Sequence, residues 1–190
     1  MRRRAVLPLP LLLAAPPLPG TAAHATPAPD LPEELRGEWP GAVLAQPQGR
    51  SRMRVFGLAI YDIALWAPQP VTEAAELPGQ PLALSLTYLR ALDGRRIAER
   101  SLVEMRRGGP VDAATATRWL ATMAQLFPDV AEGDRLTGVL RPGSGARFHL
   151  NGRPRGDWPD PAAAARFFGI WLAPWTSAPD LRRALLGGSP

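Results

Sequence analysis

The sequence contains neither cysteine nor lysine, and only two histidines occur among its 190 residues. Without cysteine there can be no disulfide, no thiolate nucleophile and no cysteine-ligated metal. His24 and His149 are too few to build an imidazole metal site, so no metal site is predicted. Neither a G-x-S-x-G elbow nor a phosphate-binding loop occurs. We therefore expect no cofactor, and no catalytic residue is assigned from the residues alone.

The basic residues form no dense cluster along the chain. All 22 are arginine, and the formal net charge of +5 falls to +2 if Arg2, Arg3 and Arg4 are removed with a leader. A nucleic-acid-binding domain would show a dense basic stripe. Nucleic acid is therefore not expected as a partner.

The first 25 residues have the three parts of a signal peptide. MRRR is a positively charged start, AVLPLPLLLAAPPLPG is an apolar run, and Ala23–Ala25 is a small-x-small cleavage site. The prolines and the short apolar run argue against a membrane-spanning helix, which needs about 20 apolar residues. We expect residues 1–25 to be a cleavable signal peptide, no transmembrane segment, and a mature protein that is periplasmic or secreted.

The remaining chain is expected to form a short arm and one domain. Residues 26–40 are rich in proline and are predicted to be an arm or loop rather than a core element. Residues 41–188 are long enough for a single domain with a sizeable core.

Within this domain, strand patterns come first, followed by two helices, a hairpin and further helices. PLALSLTYLR alternates between two faces, one of them strongly apolar, which is typical of a strand. Asp93, Asp112 and Asp160 are placed to cap three helices. Asn151–Gly152 predicts a hairpin turn. The order predicts an α+β domain, in which helices cover one face of an antiparallel sheet.

The helix that follows Asp93 is predicted to turn four charged residues to solvent, because apolar residues at helical spacing mark its opposite side. They are Arg96, Glu99, Arg100 and Glu104.

The stretch RVFGLAIYDIALWA places Tyr61 and Asp62 inside a strand that is otherwise apolar on both faces. Successive side chains of a strand point to opposite faces, so one of the two residues belongs to each face. Because a buried carboxylate needs a partner, Asp62 is predicted to pair with a nearby arginine. Tyr61 is the better candidate for a cleft, and Tyr61→Phe is expected to weaken ligand binding with little change in stability.

Four stretches together resemble the bacterial chalcone isomerase-like family. They are GRSRMRVFGLAIYDIALWAP, LTYLRALDGRRIAERSLVEMRR, FPDVAEGDRLTGVLRPGSGARFHLNGRP and ARFFGIWLAPWTSAPDLRRALLG. The resemblance implies an open-faced β-sandwich, in which a large curved antiparallel sheet carries a layer of helices on one face. It also implies a ligand cleft between sheet and helices. Family members include enzymes that close a chalcone into a flavanone and non-catalytic fatty-acid binders.

The resemblance also implies particular site residues. The family's arginine corresponds to Arg50 or Arg52, and its threonine falls at or next to Tyr61. The family's catalytic helix carries a Tyr and an Asn, which the matching stretch VDAATATRWLATMAQ lacks. A late hydroxyl-bearing position falls near Gly169–Ile170, where there is none. These departures disfavour cyclisation, and they favour a binding role or a structural role.

Three hypotheses follow for the function of this chain. The first is an exported, non-catalytic binder of a small hydrophobic carboxylate, a fatty or aromatic acid, with Arg50, Arg52, Tyr61 and Trp66 as its ligand-binding residues. The second is an isomerase or intramolecular lyase that acts on a chalcone-like phenolic substrate. The third is a structural or partner-binding domain with a filled core. A cleft lined by Tyr61 and an arginine would separate the first hypothesis from the third.

Overall fold

A computed structural model describes residues 31–41, 46–72 and 79–188 of the chain. The predicted signal peptide at 1–25 and the start of the predicted arm at 26–30 lie outside the described residues. The elements in chain order are α1 Glu33–Glu38, β1 Gly49–Val55, β2 Leu58–Trp66, β3 Leu82–Tyr88, α2 Gly94–Met105, a 3-10 turn Arg106–Gly108, α3 Ala113–Leu126, β4 Arg135–Arg141, β5 Gly145–Leu150, β6 Arg153–Trp158, α4 Pro161–Leu172 and α5 Pro179–Leu185.

The six strands form one antiparallel sheet in the order β1-β2-β3-β4-β5-β6. Neighbours along the chain are therefore neighbours in the sheet. Two-residue turns, Phe56–Gly57 and Asn151–Gly152, join β1 to β2 and β5 to β6. All four turn residues have positive φ, which a type I′ hairpin turn requires. The predicted turn at Asn151–Gly152 and the predicted α+β class are confirmed.

Aspartates begin three of the helices, as predicted. The side chains of Asp93, Asp112 and Asp160 accept hydrogen bonds from backbone N–H groups three residues later, at the first turns of α2, α3 and α4. Each bond satisfies a donor that the helix itself leaves unpaired. The starts of the helices that cover the sheet are thus encoded locally.

The main core lies between one face of the sheet, here called the inner face, and helices α2 to α5. Its large buried side chains include Leu65, Leu82, Leu84, Met105, Met123, Leu140, Phe148, Phe168 and Leu185. Phe167 contacts the rings of Phe127, Phe148, Trp158 and Trp171. This aromatic cluster packs α4 against β4 and β5.

The opposite face of the sheet, the outer face, is partly covered by α1. Leu35 of α1 is 1% exposed and packs with Trp66, Ala83 and Val139. Glu38 of α1 forms an ion pair with Arg141 at 2.6 Å. The prediction that residues 26–40 contribute no core element is therefore wrong for residues 33–38. A single buried apolar residue, Leu35, gives no helical periodicity from which a helix could be predicted in a proline-rich stretch.

No helix in the described part of the chain combines the length and the apolar character needed to cross a bilayer.

Candidate ligand-binding site

A cleft of about 560 Å³ lies between the inner face of the sheet and the helices. Its walls are mostly apolar and include Leu84, Leu86, Ile97, Leu136, Phe148, Phe168 and Ile170. Helix α2 packs on α3 and α4, while α4 packs on β4 and β5. Because α2 rests on its neighbouring helices, space remains between α2 and the inner face of β2 and β3. A cleft of this size and polarity is typical of small-molecule sites.

Tyr61 lies in the cleft wall, as predicted. Its hydroxyl oxygen accepts a hydrogen bond from Nε1 of Trp171 on α4 at 2.9 Å. Tyr88 lies opposite it on β3, with ring centroids 6.0 Å apart in an edge-on arrangement. The Tyr88 hydroxyl makes no hydrogen bond to a described residue, although the residue is only 2% exposed. The cleft wall thus presents a phenolic group that a ligand could pair with.

Burial keeps both phenols in their neutral form. Loss of water raises the pKa of Tyr61 to about 12, and the hydrogen bond from Trp171 opposes this only in part. Desolvation also raises the pKa of Tyr88, with a further contribution from Tyr61. Both hydroxyls therefore remain hydrogen-bond donors well above neutral pH.

The burial of Tyr61 and Tyr88 can be tested directly by pH titration, because they are the only tyrosines in the chain. The folded protein holds both phenolic protons more tightly than the unfolded chain, in which tyrosine has a pKa of about 10. The stability they contribute is complete below pH 10 and is lost as pH rises from 10 toward 12. We expect phenolate absorbance and loss of the circular dichroism signal to develop together above pH 10. Phenolate absorbance that rises at pH 10 in a protein with native dichroism would contradict the burial of these rings.

Helix α2 and its N-cap, Asp93, supply the charged part of the cleft wall. The charged residues of the helix itself are Arg96, Arg100 and Glu104, and Ser101 adds a hydroxyl. The Glu104 side chain is only 8% exposed and is paired with Arg100 and, at 3.7 Å, with Arg107. The prediction that Glu104 faces solvent is therefore wrong. An acid with basic residues one turn before and after it has the pattern of a surface ion-pair ladder. The pattern cannot show that a cleft, rather than bulk water, lies beneath the helix.

Arg50 and Arg52, the predicted anchors, lie on the outer face rather than in the cleft. Arg52 is paired in the sheet with Asp62, and its Nε and Nη2 donate to the two Asp62 carboxylate oxygens at 2.6 and 2.8 Å. Arg50 is paired with Ala64. Directly opposed residues of an antiparallel pair share a face, and Tyr61 points to the other one. The predicted Asp62–arginine pair is confirmed. Its arginine, Arg52, is one of the two that were also predicted to bind the ligand.

Trp66 also lies on the outer face, so the expectation that it lines the cleft is wrong. Its Nε1 donates to the Ser85 hydroxyl at 3.0 Å, and its ring is fully buried beneath α1. Tyr61 and Trp66 are five positions apart in one regular strand. An odd spacing places two strand residues on opposite faces. The sequence therefore contained the signal that excludes Trp66 from a Tyr61 cleft.

Among the residues that the structure describes, no three histidine, aspartate or glutamate side chains cluster as a metal site would require. His149 is buried on the outer face, where desolvation lowers its pKa.

The fold is an open-faced β-sandwich with a cleft between the sheet and the helices. A family model described as chalcone isomerase-like matches residues 48–187, and the chain belongs to this family.

The known proteins that resemble the chain include one from a bacterium and one from a plant. A Haemophilus influenzae protein described as uncharacterized is 30% identical over 142 residues, which are 75% of this chain and 68% of that protein. The crystal structure of a fatty-acid binding protein from Arabidopsis thaliana matches with a TM-score of 0.57 at 12% identity. The match covers 78% of this chain and 91% of the plant protein's chain. At this identity the structural likeness shows the shared fold.

Proposed function

We propose that this protein is an exported, non-catalytic binder of a small hydrophobic carboxylate, either a fatty acid or an aromatic acid. The observation that carries the proposal is the apolar cleft of about 560 Å³, whose charged groups all lie on α2 or at its N-cap, Asp93. An amphipathic ligand needs this separation of an apolar wall from a polar one. The fold shared with a fatty-acid binding protein supports the same class of ligand.

In this proposal the carboxylate of the ligand lies against α2, and Arg96 and Arg100 are its cationic partners. Arg96 lines the cleft and makes no ion pair with a described residue. Arg100 pairs with Glu104 through one nitrogen only, so its remaining N–H groups are available to an anion. These two arginines replace Arg50 and Arg52 in the proposal. The apolar part of the ligand lies over Leu84, Leu86 and Phe148.

The proposal includes export through the signal peptide predicted at residues 1–25. The mass of the protein purified from a bacterial periplasm tests this part. Cleavage after Ala25 removes the first 25 residues and their three arginines. An intact N-terminus in periplasmic protein would contradict the proposed leader.

Native mass spectrometry of the purified mature protein tests the binding function. We expect an excess mass that disappears on denaturation and is identified as a fatty or aromatic acid.

Titration of ligand-free protein with a fatty acid and with its methyl ester, followed by calorimetry, tests whether binding depends on the negative charge of the ligand's carboxylate. The acid is expected to bind at least about tenfold more tightly, because charge-assisted bonds are the stronger ones. If the acid and the ester bound equally tightly, the protein would not recognise the carboxylate, and this part of the proposal would be wrong.

Tyr61→Phe tests the phenolic wall of the cleft. The Trp171 hydrogen bond revises the expectation of unchanged stability, since the substitution leaves a buried indole N–H without its acceptor. We expect a loss of about 1–2 kcal/mol in the free energy of unfolding and weaker ligand binding. The control is Tyr61→Phe combined with Trp171→Phe, in which no donor is stranded. The double variant should lose less stability than the sum of the single variants, and simple additivity would argue against the coupling.

The alternative, an isomerase acting on a chalcone-like phenol, is favoured by one observation. Glu104 Oε2 is buried in the helical wall of the cleft without a hydrogen bond to a described residue. A carboxylate in that position could accept the proton of a substrate phenol. If this holds, a chalcone is consumed by the protein, and Glu104→Gln lowers the rate at least about 100-fold. Absence of turnover by the wild-type protein leaves the binding proposal in place.

A further inference from the structure

The turn between β1 and β2 exposes three large apolar side chains. Phe56 is fully exposed, while Val55 and Leu58 are 42% and 57% exposed. Val55 and Phe56 also line the cleft. We call residues Val55–Leu58 the apolar tip, and it lies at the rim of the ligand space.

The backbone of the apolar tip is one that phenylalanine disfavours. Phe56 has φ of 48° and Gly57 has φ of 81°. For a bulky residue without a short polar side chain, positive φ is an outlier. The other two-residue hairpin turn has the same signs of φ but carries Asn151–Gly152, the pair that this turn prefers. The chain therefore keeps an exposed phenyl ring at a position where asparagine would fit better.

Three arginines that pair with no described acidic residue accompany the apolar tip. Arg54, Arg90 and Arg96 are exposed and make no ion pair with a described residue. Arg54 donates to the carbonyl of Gly57 within the turn at 3.2 Å. Arg90 follows Leu89, whose backbone N–H donates to the carbonyl of Ile60, two residues beyond Leu58 of the apolar tip. Arg96 lines the same cleft as Phe56.

We propose that the apolar tip docks on an anionic lipid surface. Exposed aromatic and aliphatic side chains enter the interfacial region of a bilayer, and nearby arginines pair with lipid phosphates. The combination of a strained, exposed Phe56 with unpaired arginines fits this partner better than a purely apolar protein groove. Docking would bring the rim of the cleft to the membrane. The inference goes beyond the proposed ligand binding and does not depend on it.

Vesicle flotation with the mature protein, without added ligand, tests the inference. We expect the wild-type protein to float with vesicles of equal parts phosphatidylglycerol and phosphatidylcholine. Less protein should float with phosphatidylcholine alone or in 0.5 M salt. Phe56→Asn should reduce flotation at least about fivefold, and its melting temperature should rise because the turn becomes Asn-Gly. Phe56→Trp should retain flotation. Val103→Gln, a change at an exposed apolar residue of α2 outside the cleft lining, should float as wild type does.

Several outcomes would overturn the docking surface. Wild-type protein that fails to float with anionic vesicles excludes the lipid surface. Equal flotation of Phe56→Asn and wild type removes the apolar tip from any membrane contact. A dimer in wild type that Phe56→Asn abolishes assigns the tip to a second copy of the chain instead. If hydrophobic acids fail to bind while flotation depends on Phe56, the proposed function fails and this inference stands.

Discussion

Ser101→Phe is expected to abolish most binding of hydrophobic acids while the fold remains intact. Ser101 lies on the buried side of α2 and lines the cleft. A phenyl ring at this position would occupy part of the cleft, whose wall also includes Tyr61. A ligand that can no longer bury three or four methylene groups loses about 2–3 kcal/mol. We therefore expect the dissociation constant to rise about 30- to 150-fold.

The matched control for this change is Val103→Phe on the same helix. Val103 is 53% exposed and does not line the cleft, so an added ring there should leave binding unchanged. Calorimetry with a fatty acid measures both dissociation constants, and thermal unfolding checks that each variant is folded. If folded Ser101→Phe binds as tightly as wild type, the ligand does not occupy this cleft. A loss of binding in both variants would instead indicate a general effect on α2.

The local parts of this fold could be read from the sequence because they depend on short-range chemistry. The aspartate caps of α2, α3 and α4 and the turn at Asn151–Gly152 each need only a few neighbouring residues. The position of Tyr61 in the cleft wall followed from strand alternation together with the resemblance to a family. In these cases the local preference and the final packing agree.

The parts of the site that were missed depend on contacts between distant segments. Glu104 and Arg100 have the spacing of an ordinary surface pair, and only the packing of α2 on α3 and α4 turns Glu104 inward. Leu35 becomes buried because α1 lies across β2, β3 and β4. Arg52 was assigned to the ligand although the same reasoning paired an arginine with Asp62. The strand register decides between these two roles, and a single sequence does not reveal it.

Gly49→Ala is expected to lower the free energy of unfolding by about 3 kcal/mol or more. Gly49 begins β1, and β1 packs against α5. A Cβ atom on Gly49 would lie 2.2 Å from the carbonyl oxygen of Leu185 and 2.3 Å from that of Ala184. Both atoms belong to backbone, so no side-chain rotation can relieve the overlap. Either α5 or the start of β1 would have to move, and fully buried Leu185 would lose contacts in the core.

Gly37→Ala is the control for this second change. Gly37 lies in α1, and a Cβ atom there would meet nothing within 4 Å. An alanine in a helix is favoured over glycine by about 0.5–1 kcal/mol, so this variant should be as stable as wild type or slightly more stable. Urea unfolding followed by circular dichroism measures both variants. If the midpoint of urea unfolding is the same for Gly49→Ala and for the wild-type protein, α5 does not pack against β1 in solution.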